Sequence, residues 1–160
     1  MNGVFGHRRY FSRNFGIERA QPVRGPAGLI GRVIEAGPTT ARILLVTDSD
    51  NLVPVMRASD GLPAFSAGLG DGRVLIKPLN LGESPFKVGD VIVTSGNGGL
   101  YRPNIPFARI IEKTSDGALA IPFADPGNTP YAIVVKPYQS AARAAQQAIA
   151  PDGETKEIKE

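Results

Sequence analysis

The chain has 160 residues, a net charge of +3, one His and no Cys. Its 42% hydrophobic and 21% charged content is that of a globular domain, which excludes a disordered tail as the main body. The lack of Cys excludes disulfides and thiol chemistry. No stretch approaches the ~20 apolar residues of a membrane helix, and the N-terminal MNGVFGHRRYFSRNF has no apolar core of a signal peptide.

From the N-terminus, the first third is basic, with Arg8, Arg9, Arg13, Arg19, Arg24, Arg32 and Arg42 against Glu18 and Glu35. His7 lies in that segment, and the terminus reads as mobile. Then come short runs rich in Val, Ile, Leu and Phe, each ending in Gly, Pro, Asp or Asn. They fall at Leu29–Ile34, Ala41–Thr47, Leu52–Arg57, Pro63–Ala67, Arg73–Pro78, Asp90–Thr94, Phe107–Lys113, Leu119–Phe123 and Tyr131–Lys136. Many short strands at about 8–12-residue spacing predict an all-β barrel or sandwich. At the end, 140–150 reads as a short Ala-rich helix capped by Ser140, followed by a disordered tail from Pro151.

The chain also reads as duplicated. Phe15–Glu35 and Phe86–Glu112 each start at Phe, pass through a strand and a Gly/Pro corner, and end in a basic and apolar strand: Arg32-Val33-Ile34-Glu35 and Arg109-Ile110-Ile111-Glu112. Asp-led bends follow, TDSDN at 47–51 and ADPGN at 124–128. We therefore expect two small packed β-barrels of mainly antiparallel strands. They fill a β region over 1–139, are built from half-units near 15–50 and 86–128, and precede a helix and tail over 140–160.

The most demanding stretch is VTSGNGGLYRPNIPFARI at 93–110. It lacks the Lys of a phosphate loop, and Pro103 and Pro106 forbid the helix that a dinucleotide fingerprint needs. Ser95 lacks a plausible base, since the one His lies near the terminus beside two Arg. DSDN at 48–51 lacks the Gly and Glu of a calcium loop and reads as an Asx-type turn. What remains is a structural corner: Gly96, Gly98 and Gly99 supply positive φ, and Pro103 and Pro106 fix the path into the next strand. Tyr101 is expected to be exposed at its edge. No catalytic, cofactor-binding or metal-binding set emerges.

GLIGRVIEAGPTTARILLVTD (28–48) followed by KVGDVIVTSGNGGLYRPNIPFARI (87–110) resembles the MreC family of bacterial rod-shape-determining proteins. The V-G-D-x-V-x-T-S-G-x-G-G segment is the most specific part. Asn104 and Ala108 stand where the family often has Gly. The resemblance implies paired β-barrels in the periplasm, with an inner-membrane anchor and coiled coil outside this sequence. It implies a non-catalytic scaffold of lateral wall synthesis, without cofactor. The implied partners are the class B penicillin-binding transpeptidase, MreD, RodA and, across the membrane, MreB, with self-association of the full-length protein.

Exposed aromatic and Arg side chains are the candidate contact groups: Phe65, Tyr101, Arg102, Tyr131 and Tyr138. A second reading, a small barrel binding single-stranded nucleic acid, rests on HRRYFSRNF at 7–15, where Arg alternates with aromatics. It is disfavoured because the basic residues thin out after Arg42 and the middle of the chain is near neutral.

Overall fold

Alternation of inward and outward side chains along short runs makes this chain a β-protein. The computed structural model describes residues 7–11, 20–80 and 82–139. The strands are β1 (His7–Phe11), β2 (Pro22–Arg24), β3 (Leu29–Ala36), β4 (Thr40–Leu45), β5 (Leu52–Arg57), β6 (Pro63–Gly68), β7 (Val74–Pro78), β8 (Val91–Thr94), β9 (Pro106–Lys113), β10 (Ala118–Pro122) and β11 (Ile133–Val134). The Ala-rich stretch 140–150 and the tail lie outside the described residues.

Strands β5 to β10 close into a six-stranded barrel in the order β10-β7-β6-β5-β8-β9. The other strands form a five-stranded sheet, β1-β4-β3-β2-β11, so the barrel is inserted between β4 and β11 of the sheet. Every pairing is antiparallel. The all-β expectation holds, but among the described residues only one unit is closed.

The registers explain the difference. In the sheet, Pro22 faces Arg32 and Val23 faces Gly31, and past a bulge Arg24 faces Leu29. In the barrel, Val91 faces Arg109 and Ile92 faces Ala108, and past a bulge Val93 faces Pro106. A second bulge skips Ile34 between Val33 and Glu35 on β3, and Ile111 between Ile110 and Glu112 on β9. Thus β2-β3-β4 and β8-β9-β10 share one pairing scheme. Outside them, β11 stands where β5 does and β1 where β7 does. Strand β6 alone has no counterpart among the described residues, and β6 is what closes the barrel.

Two strands depart from the sequence reading. His7–Phe11 is not a loose terminus but strand β1, paired with Thr40–Leu44 along the edge of β4. An unpaired β4 edge would leave a row of backbone donors and acceptors exposed, and β1 covers it. The last strand is only Ile133–Val134. The Val135 amide still donates to the Pro22 carbonyl at 2.9 Å, and Pro137, which has no N–H, lies two residues further on.

Each unit has its own core, and β3 belongs to both. Leu29 is fully buried with Val53, Val74, Ile76, Phe86, Ile92, Phe107 and Ile110 in the barrel. The next residue, Ile30, points to the opposite face and is buried with Val23, Val33, Ile43 and Leu45. Ala124, just past β10, returns to this second core. The inward side chains of β6 are small, Ala64, Ser66 and Gly68, and leave room for the aromatics opposite.

Gly68 marks a second weld. A Cβ there would lie 2.2 Å from the carbonyl carbon of Thr47, in the turn after β4. The Gly70 amide donates to the Thr47 oxygen at 2.8 Å. Backbone meets backbone here, so no rotamer change relieves a side chain. Gly68→Ala is expected to lower stability by roughly 1–3 kcal/mol, read as a lower urea midpoint. An unchanged midpoint would show that the two segments separate easily.

Candidate functional site

The 93–110 corner is closed upon itself. Gly96, Gly98 and Gly99 have φ of 80°, 76° and 73°, the left-handed region that favours glycine. Asn97–Gly99 forms one turn of 3-10 helix. Buried Thr94 anchors the return: its hydroxyl donates to the Arg102 carbonyl and accepts from the Ile105 amide at 2.9 Å. The Ser95 hydroxyl accepts from the Asn97 amide at 3.2 Å, a local turn contact. Pro103 packs over Gly96, and Pro106 opens β9. Beyond its own turns, the corner is tied to β5 by the Ser95 amide, which donates to the Pro54 carbonyl at 3.2 Å.

Tyr101 corrects the sequence reading. It is 2% exposed and lies in the barrel core with Leu29, Phe86, Ile105 and Phe107. Three positive-φ glycines within the stretch 96–99 break the period-two alternation, so the direction of the next side chain cannot be counted from β8. Burial pushes the Tyr101 hydroxyl up to about 12, slightly offset by the charge of Arg32. That hydroxyl has no protein hydrogen-bond partner. Tyr101 is thus a core residue, not an exposed contact.

The other candidates are on the surface but on separate elements. Phe65 stands outward in the middle of β6, 44% exposed. Arg102 is exposed on the corner while its carbonyl holds Thr94. Tyr131 precedes β11, and Tyr138 lies near the corner, where its amide donates to the Leu100 carbonyl at 3.2 Å. Gln139 rests against Gly99. Exposed Leu52, Leu69 and Leu79 were missed by sequence reasoning. A signal was present in Leu52-Val53-Pro54-Val55-Met56, apolar at every position where a strand with one wet face should alternate.

Several charged groups serve the fold. Arg57 donates to Asp60 at 3.0 and 2.7 Å and to the Pro85 carbonyl at 2.7 Å, reaches Asp90 at 3.4 Å, and lies 5.9 Å from the centre of the Phe86 ring. The Arg57 hydrogen bonds, helped by the Leu62 amide, hold the Asp60 carboxyl down at about 2. Asp48 caps its own bend by accepting the Asp50 amide at 2.8 Å, and Asp125 does the same for Gly127. Among the described residues no three His, Asp or Glu gather as metal ligands, and no helix is long and apolar enough to cross a membrane.

Because the Tyr101 hydroxyl is enclosed without a protein partner, Tyr101→Phe is expected to keep or raise stability, by up to about 1 kcal/mol. Tyr101→Ala, in contrast, opens a cavity and should cost about 3–5 kcal/mol. Urea unfolding of both variants checks this. A Phe variant much weaker than wild type would mean that the hydroxyl is bonded.

The rod shape-determining protein MreC barrel-core family model matches residues 12–146. The cell shape-determining protein MreC of Caulobacter vibrioides is 31% identical over 116 residues, covering 72% of this chain and 33% of that protein. The chain spans a quarter to a third of the length of the curated relatives it matches. The crystal structure of MreC from Pseudomonas aeruginosa shares the fold with a TM-score of 0.76 and 29% identity, over 84% of this chain and 91% of that one. A complex between penicillin-binding protein PBP2 and MreC from Helicobacter pylori contains a chain of similar fold, at a TM-score of 0.54 and 14% identity, over 75% of this chain and 80% of that one. The chain belongs to the MreC family of cell shape-determining proteins.

Proposed function

We propose that this chain is a periplasmic, non-catalytic scaffold of the machinery that elongates the cell wall, and that it binds the class B penicillin-binding transpeptidase. The observation that carries the reading is family membership over nearly all of the described β-structure. The Helicobacter pylori complex, in which an MreC meets a penicillin-binding protein, supports the choice of partner. MreD, RodA and, across the membrane, MreB are the further partners of this reading, with an inner-membrane anchor and self-association belonging to the longer protein.

The corner agrees with a scaffold role. An acyl-transfer site needs an activated nucleophile and donors aimed at a developing oxyanion. Ser95 instead caps a turn, and Thr94 ties the corner closed. Rigid barrels present surfaces with little ordering cost, which suits a protein whose task is contact.

Biolayer interferometry of this chain against the periplasmic part of the same organism's elongation transpeptidase tests the reading at physiological salt. Saturable binding in the micromolar range or tighter is expected. No binding at high micromolar concentration would contradict it for this part of the protein.

A further inference from the structure

The chain after β11 does not run free of the barrel. The Val135 amide donates to the Pro22 carbonyl at 2.9 Å, which prolongs the sheet by one bond. Three residues later the Tyr138 amide donates to the Leu100 carbonyl at 3.2 Å, on the corner of the barrel. Between them Pro137 fixes its own φ and disfavours helical backbone at Lys136, which favours an extended crossing from sheet to barrel.

The crossing ends in a fitted seat. A Cβ at Gly99 would fall inside the Gln139 side chain, against its Cγ and Cδ. The other corner glycines do not share this contact. Gly98 has nearly the same φ, 76° against 73°, yet a Cβ there would meet nothing within 4 Å. One at Gly96 would first meet the Pro103 ring. Gly98 is therefore glycine for its backbone alone, whereas Gly99 also has to leave room for Gln139.

This contact is built to open by itself. Lys136, Tyr138 and Gln139 are exposed, and no residue of 135–139 belongs to either core. Segments with few buried apolar contacts open without global unfolding. The corner is thus held at two places. Thr94 binds the Arg102 carbonyl and the Ile105 amide, and the crossing binds Leu100 and covers Gly99.

We propose that 135–139 is a releasable clasp. Closed, it seats Gln139 on Gly99 and holds the 97–100 turn; open, it frees that turn while both cores stay folded. The sequence continues beyond Gln139, so a pull or a binding event on that side is carried to the corner through the clasp.

Residue-resolved hydrogen exchange through a low urea series tests this on wild type, Gln139→Ala, Gly99→Ala and Gly98→Ala. In wild type the Tyr138 amide should exchange through an opening far less urea-dependent than that of the Ile92 amide. In Gln139→Ala the Tyr138 amide should exchange at least about tenfold faster, with Ile92 at its wild-type rate. The Gly99 amide, bonded to the Gly96 carbonyl at 3.3 Å, should speed up with Tyr138. Gly99→Ala and Gly98→Ala carry the same left-handed strain, so both should melt lower, but only Gly99→Ala should release Tyr138. Equal Tyr138 rates in wild type and Gln139→Ala, or equal release by Gly98→Ala, would overturn the seat. Tyr138 opening only together with Ile92 would overturn the release, because the crossing would then be a fixed part of the body. A fast Tyr138 amide beside an unchanged Gly99 amide would overturn the hold on the corner.

Discussion

Two adjacent side chains on β3 hold this protein together. Leu29 enters the barrel core and Ile30 the core of the sheet, because successive residues on a strand point to opposite faces. Each is fully buried, and burial of such a side chain stabilises by about 1.5–3 kcal/mol. Neither unit can lose β3 without losing part of its core. Gly68 at the Thr47 backbone and Ala124 in the sheet core add further ties between the units. The covalent connection has the same effect, since the chain leaves the sheet after β4, builds the whole barrel and returns for β11.

Much of this was legible in the sequence. Strand β5 begins and ends where its apolar run does, and the glycines of the corner take the positive φ that their spacing suggested. The family pattern, GLIGRV and then VGDVIVTSGNGG, lies on β3 and on the β8 corner, the segments that close packing and backbone conformation constrain most. What escaped has physical causes. The strand character of His7–Phe11 comes from the edge of β4, a partner distant in sequence and invisible to local propensity. The direction of Tyr101 was lost because alternation cannot be followed through left-handed turns. The five-stranded sheet read as a second barrel because its strands carry the same motifs as the closed unit, while the strand that closes a barrel carries none.

The surface divides in the same way. Aromatic residues stand out in a sequence, so Phe65, Tyr131 and Tyr138 were found and prove exposed. Their neighbours did not stand out, because a Leu or Pro on the outside of a barrel reads like one on the inside until registers are known. Only the pairing of β5, β6 and β7 brings Leu52, Pro54, Pro63 and Leu79 around Phe65. The charged groups are more fully used than their number suggests: Arg57 alone links the β5–β6 turn, the Pro85 carbonyl and Asp90. The described residues thus join two cores through β3 and leave an apolar face over β5, β6 and β7 exposed.

That claim depends on the sheet and the barrel behaving as a single rigid body. The most direct measurement is hydrogen exchange through a urea series on wild type and Leu29→Ala, following the amides of Ile43 in the sheet and Ile92 in the barrel. Leu29→Ala should cost about 2–5 kcal/mol, and both amides should lose protection together at one lower midpoint. If the Ile92 amide opens early while Ile43 keeps its wild-type protection, the two units fold independently and the shared strand does not join them.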